Sequence, residues 1–189
     1  MKKPAFILLV LLAPLSVIAQ SYNYSEDLPI KDGKLIFEKV VEGISVNKAT
    51  LYAAAKKWMA DKLKNFGPVI QSEDITTGQI IGKGYVDINR DSKLLFVLGA
   101  SPIYKFSVQA DLRDGKYRAR IYDIILNVQT AGDDESNVEL NSAMAKSDPV
   151  TGRNKIERAK VTAKEINTIF TSLLDSFNES IKQAKTDDF

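Results

Sequence analysis

The stretch YKFSVQADLRDGKYRARIY, residues 104–122, decides the fold. Tyr104, Phe106, Val108, Ala110 and Leu112 alternate with Lys105, Ser107, Gln109, Asp111 and Arg113. A period of two belongs to a strand with one face buried and one wet. Asp114-Gly115 follows, a dipeptide whose favoured hairpin turn, type I′, needs positive φ at both residues. Counting outward from that turn sets Leu112 opposite Tyr117, Ala110 opposite Ala119 and Val108 opposite Ile121, all apolar, with Asp111 opposite Arg118 on the other face. The pairs agree in character, so they support the register independently of the turn. Beyond the hairpin, Ile124, Leu126 and Val128 take the opposite parity from Ala119 and Ile121, which predicts a β-bulge around Tyr122-Asp123.

Working back from the hairpin, Gly99 to Pro102 reads as a loop, Leu94 to Leu98 as an apolar connection and Asn89 to Ser92 as a break. Ile80 to Ile88 and Val69 to Ile75 read as strands joined by the turn 76–79. From Asn47 to Phe66 the period becomes helical, with Leu51, Ala55, Trp58, Met59, Leu63 and Phe66 on one stripe and Gly67-Pro68 as the stop. Leu35 to Val41 is the first strand, ended by Gly43. On the other side of the hairpin, residues 131–153 are a long polar loop. A final helix over 155–183 carries Ile166, Ile169, Phe170, Leu173, Leu174, Phe177 and Ile181 at three-four spacing, with Asn154 and Glu157 as a capping box. The order β-α-β-β-β-β-α describes an α+β domain over 35–185, an antiparallel sheet with both helices on one face.

The first residues stand outside that domain. Lys2 and Lys3 precede an apolar run from Ala5 to Ile18, and the small residue Ala19 follows. This is the pattern of a secretory signal peptide over 1–19, too short for the roughly 20 apolar residues of a membrane span. Residues 20–34 then form a polar leader. The expected location is periplasmic or secreted, with no stable membrane span after cleavage.

Composition narrows the chemistry. The chain has no cysteine, hence no disulfide framework and no thiol nucleophile, and it has no histidine, the commonest general base and transition-metal ligand. With 26 basic and 24 acidic residues, no whole-protein field points to nucleic acid. No cofactor is expected. Asp133-Asp134-Glu135 lacks the alternating oxygen ligands and fixed glycine of a calcium loop and reads as solvated, so no metal is expected either.

Leu51-Tyr52, Ala55 and Trp58 on the first helix, Ile80 to Gly84 on a strand, and Asp114 to Arg118 at the hairpin resemble a family of domains of unknown function with a TATA-binding-protein-like fold, found in exported proteins of Gram-negative bacteria. The likeness spans Phe37 to Val128. It implies a fold and a location but no activity and no catalytic residues, and a fold name does not import DNA binding.

Two local patterns remain. Gly82-Lys83-Gly84 lies inside a strand, not between a strand and a helix, so it is no phosphate loop. Glycine at the two inward positions instead brings the first helix, with Trp58, close to the sheet. The outward parity carries Ile81, Lys83, Tyr85, Lys105, Gln109, Arg118, Arg120 and Tyr122. Of these, Lys83, Tyr85, Lys105, Arg118, Arg120 and Tyr122 are the candidate binding residues, a basic surface bearing tyrosines that suits an anionic glycan or an acidic envelope protein. Against this stands the ordinary polarity of wet sheet faces, and Arg118 already faces Asp111. The leading expectation is a non-enzymatic binding or interaction module. The alternatives are an enzyme acting on envelope polymers through Asp87, Asp111 or Asp123, and assembly through the final helix, the oligomeric state being open.

Overall fold

The computed structural model describes residues 20–88, 101–129 and 135–186. In chain order its elements are β1 (Ser21–Tyr22), a 3-10 turn (Tyr24–Glu26), β2 (Ile30–Lys31), β3 (Lys34–Leu35), β4 (Phe37–Glu42), α1 (Lys48–Lys62), β5 (Ile70–Asp74), β6 (Gln79–Asp87), β7 (Ser101–Arg113), β8 (Lys116–Gln129), β9 (Glu135–Glu139), a π-helical turn (Asn141–Ala145), β10 (Val150–Thr151) and α2 (Arg153–Thr186). The breaks and connections expected over 89–100 lie outside the described residues.

The β7–β8 hairpin is the spine of a six-stranded antiparallel sheet in the order β4-β8-β7-β6-β5, with β9 pairing β8 off that path. Its register is the one read from the alternation, with Leu112 opposite Tyr117, Ala110 opposite Ala119, Val108 opposite Ile121 and Asp111 opposite Arg118. The bulge is present: the register shifts between Lys105 and Ser107, and Asp123 takes φ +51°. That twist returns Ile124 to the buried face after Ile121. The strand β7 begins at Ser101, so Pro102 is in the sheet, opposite Val128, and not in a loop. The hairpin turn is not type I′, because only Gly115 has positive φ. Tertiary bonds set its shape instead: Ile44 N–H donates to Gly115 O, Gly115 N–H to Val46 O, and Lys48 N–H to Asp114 Oδ1 at 2.7 Å.

Both helices pack on the face carrying Tyr104, Phe106, Val108, Ala110 and Leu112. Phe170 of α2 meets Phe37, Tyr104 and Phe106 with ring centroids 5.2, 5.8 and 5.4 Å away. Trp58 of α1 stands edge-on to Phe177 at 5.1 Å and donates from Nε1 to Ser176 Oγ at 3.1 Å. Burying a large apolar side chain of this kind contributes about 1.5–3 kcal/mol. Asn47 caps α1, its Oδ1 accepting from Thr50 N–H.

Four further sequence expectations need correcting. First, α1 stops at Lys62, with Leu63 already extended, so Phe66 leaves the buried stripe and is 72% exposed. That end of the helix lies close on β6: a Cβ on Gly82 would meet Met59 Sδ at 3.1 Å, and one on Gly84 would meet Leu63 Cβ at 3.1 Å. Met59 and Leu63, not Trp58, are therefore the side chains that use the space over the two glycines.

Second, the leader is part of the fold. Strand β1 pairs with β10, and Tyr22, Leu28 and Leu35 are buried in the same core as Ile156 and Ala159 of α2. Third, the segment read as a polar loop contains β9, which pairs with β8 from Ile125 to Gln129. Fourth, α2 starts at Arg153, which places Asn154 and Glu157 inside the helix, while Lys155 and Ile156 N–H donate to Gly152 O. This 34-residue helix spans about 51 Å. Its stripe from Ile156 to Ile181 packs against the core of the same chain, with Ile169 and Leu173 partly buried. Among the described residues no helix is long and apolar enough to cross a membrane.

Candidate functional site on the outer sheet face

The sheet face away from the helices carries all six candidate residues, because they share the outward parity of β6, β7 and β8. The register puts Lys83, Ser107 and Tyr122 in one row across the strands and Tyr85, Lys105 and Ile125 in the next. Arg118 and Arg120 lie further along β8, on the far side of Tyr122 from the bulge. From Arg118 to Tyr122 is four residues, about 13 Å along the strand. The set therefore divides into two unlike halves.

In the half toward the hairpin turn, Asp111 holds both arginines. Its Oδ2 accepts from Arg118 Nε at 3.1 Å and Nη2 at 2.9 Å, and lies 3.5 Å from Arg120 Nη2. Its Oδ1 accepts from Gln79 and Gln109 amides at 3.0 and 2.9 Å. Burial alone pushes the Asp111 carboxyl up, but the bonds from Gln79, Gln109 and Arg118 outweigh it and hold the group below the usual carboxylate range. Arg120 Nε is buried and makes no hydrogen bond among the described residues, so one carboxylate satisfies that guanidinium only in part. Strand β4 adds Glu38 opposite Arg120 and Glu42 opposite Lys116. This half is close to neutral.

The other half is concave. A cleft of about 650 Å³ is lined by Lys83, Lys105 and Tyr122 together with Lys34, Asp123 and Glu139. It forms where the outer edge of β8 changes partner. Strand β4 covers that edge up to Ile121 and β9 covers it from Ile125, leaving the bulged residues 122–124 between them. Ser107 is buried on the cleft floor, and Asn141 on its wall accepts from Leu35 N–H at 2.8 Å. The Tyr122 phenol is pushed above its ordinary value by burial and then by Asp123.

At the rim, Phe66 stacks on Tyr85 with ring centroids 4.8 Å apart and planes 12° off parallel, and Lys105 Nζ lies 5.8 Å over the Phe66 ring. The backbone carries the ring there: Tyr85 N–H donates to Lys64 O, bringing the chain along the open edge of β6. Parity found the strand residues of this site. It could not find Phe66, which helical spacing assigns to the core, nor Lys34, Glu139 and Asn141, which come from segments without a period.

The carboxylates of the enzymatic alternative do not converge. Asp87 pairs with Ile103 of β7, eight residues from Asp111, about 26 Å along the strand. Asp123 lies at the level of Phe106, five residues or about 16 Å from Asp111. Two-carboxylate glycoside hydrolysis needs about 5 to 10 Å. Asp87 is moreover ion-paired with Lys64 at 2.9 Å.

Residues 37–127 match the family model described as "Domain of unknown function (DUF4468) with TBP-like fold". Among solved structures, the chain is similar to a DUF4468 family protein from Bacteroides ovatus ATCC 8483, with a TM-score of 0.52 and 18% identity, covering 80% of this chain and 90% of that one. It is likewise similar to a TBP-like protein from Parabacteroides distasonis ATCC 8503, with a TM-score of 0.52 and 16% identity, covering 80% of this chain and 97% of that one. At such identities the likeness is one of fold. No curated protein matches the chain. The α+β architecture read from the residues and the TBP-like fold implied by the resemblance are thus borne out.

Proposed function

Residues 37–127 match a domain of unknown function with a TBP-like fold, a match that assigns no activity, and from that premise we propose that this chain is a non-enzymatic binding module of the cell envelope that takes an anionic ligand in the outer-face cleft. The observation that carries the reading is the gathering of Lys34, Lys83 and Lys105 around one concavity whose floor and walls supply hydroxyls and amides. A concave site with a few convergent polar groups is where a ligand loses most water. Arg118 contributes little, since Asp111 already occupies it, and Arg120 Nη2 lies 3.5 Å from the same carboxylate. An envelope location rests on Lys2-Lys3 and the apolar run after them, which read as an export signal.

The test is calorimetric titration of the protein without residues 1–19 against polyphosphate and acidic oligosaccharides at two salt concentrations. Partly exposed ion pairs contribute about 0.2–1 kcal/mol each. Reversing Lys83 and Lys105 to glutamate should therefore weaken binding by about tenfold or more and flatten its salt dependence. Reversing Arg118 should leave the affinity nearly unchanged. Binding that survives the lysine reversals and vanishes with Arg118→Glu would place the ligand elsewhere on the face.

A further inference from the structure

We infer that the ligand of this cleft is an acidic oligosaccharide, with one sugar ring packed on Phe66 and its carboxylate turned toward Lys83 and Lys105. The inference rests on the anionic-ligand reading above and adds the ring. Phe66 is 72% exposed although the surrounding loop orders it: its N–H donates to Asn65 Oδ1 at 3.0 Å, and Asn65 Nδ2 donates to Pro68 O at 2.8 Å. Tyr85 backs it in a near-parallel stack at 4.8 Å. A single exposed phenylalanine needs no explanation, but two stacked aromatic rings held flat beside a cleft form a surface. An aromatic face carries negative quadrupole charge, and the C–H groups on one side of a pyranose ring are its complement in shape and polarity.

The rest of the cleft is graded in the same sense. Across the strands the order Tyr85, Lys105, Ile125, Glu139 runs from aromatic and cationic to carboxylate, over three strand spacings or about 14 Å. A bare polyanion would be attracted at one end and repelled by Asp123 and Glu139 at the other. Sugar hydroxyls are donors, which carboxylates accept. A short saccharide with its acidic group at the aromatic end satisfies the whole length.

A glucose trisaccharide capped by one terminal glucuronate, free glucuronic acid, a neutral tetrasaccharide of glucose and polyphosphate are the probes, titrated by calorimetry into the wild type, Phe66→Ala, Phe66→Tyr and the Lys83→Glu/Lys105→Glu double variant. The expected result is that the capped tetrasaccharide binds best, loses roughly tenfold on Phe66→Ala and recovers with Phe66→Tyr. Unchanged melting temperatures show that the exposed substitution leaves the fold intact. Equal affinity of the capped tetrasaccharide for wild type and Phe66→Ala overturns the inference, as does glucuronic acid binding as tightly as the capped tetrasaccharide. If polyphosphate binds through the lysines and the capped tetrasaccharide does not bind, the anionic cleft stands and the sugar assignment falls. If the neutral tetrasaccharide binds through Phe66 with no effect of the lysine reversals, both fall.

Discussion

Asp111 determines how much of the outer face's positive charge a ligand can meet. One carboxylate accepts from two glutamine amides and from Arg118, with Arg120 at 3.5 Å, so the two arginines behave as internal partners. Asp111→Ala should cost about 1.5–3 kcal/mol at pH 7, the range for hydrogen bonds to a charged group. It should also raise the affinity for polyanions in a salt-sensitive way, because the released guanidiniums then face solvent. Since the folded carboxyl titrates below its unfolded counterpart, its contribution is complete above about pH 4 and fades as pH falls through the depressed value. Urea unfolding of wild type and variant should therefore differ most near neutrality and converge near pH 2. A gap that stays constant down to pH 2 would show that packing, not ionisation, is what the substitution removed.

The ends of α2 show what the period of an element reveals and what it hides. Its stripe was legible because three-four spacing persists over many turns, but what covers the N-terminal third was not. The cover comes from Tyr22, Leu28 and Leu35, in two-residue strands and a single turn too short to show any period, with β1 paired to a strand about 130 residues away. Tyr22 is 1% exposed and its hydroxyl donates to Asp27 at 2.9 Å. Tyr22→Ala should cost about 3–5 kcal/mol, the range for truncating a buried ring, whereas a substitution in an appended leader changes stability by less than about 0.5 kcal/mol. Chemical denaturation separates the two outcomes. The same contrast runs through the candidate site. Outward parity placed Lys83, Lys105 and Tyr122 on one face without any knowledge of contacts, since a strand's alternation dictates it. Parity is silent on which cations are already paired, because that depends on Asp111 reaching across to Arg118. It is equally silent on where the helix gives way to the extended segment that pairs with β6 through Lys64 and Tyr85, which is why Phe66 reads as core and emerges as surface.

At the scale of the whole molecule, the absence of histidine and cysteine leaves no side chain whose ordinary titration falls between about pH 5 and 8. Fold stability and the charge of the cleft should both be flat across that window, so ligand affinity at fixed salt should not change from pH 6 to pH 8. The alkaline side is different, because the core contains phenols. Burial, followed by the nearby Asp175 and Glu179 charges, pushes Tyr117 up to about 12, and burial together with Asp27 pushes Tyr22 higher still. A phenol that ionises at a higher pH in the folded chain than in the unfolded one gives stability that is complete below about pH 10 and is lost as pH rises through the folded value. Thermal unfolding should thus show a plateau through neutrality and a decline beginning near pH 10. Tyr117→Phe removes the hydroxyl's 2.7 Å bond to Asn178 and should cost about 1 kcal/mol at pH 7. It also removes an ionisable group from the core, so the variant should decline less steeply, and its deficit against the wild type should shrink above pH 10, vanish at about pH 11 and reverse by about pH 12, because a shift of this size is worth more than about 2 kcal/mol. Lysines deprotonate in the same range in both proteins, so the difference between the two curves isolates the phenol. A deficit that stays constant above pH 10 would mean that the Tyr117 hydroxyl ionises as readily in the core as in water, against the burial and the neighbouring carboxylates that surround it.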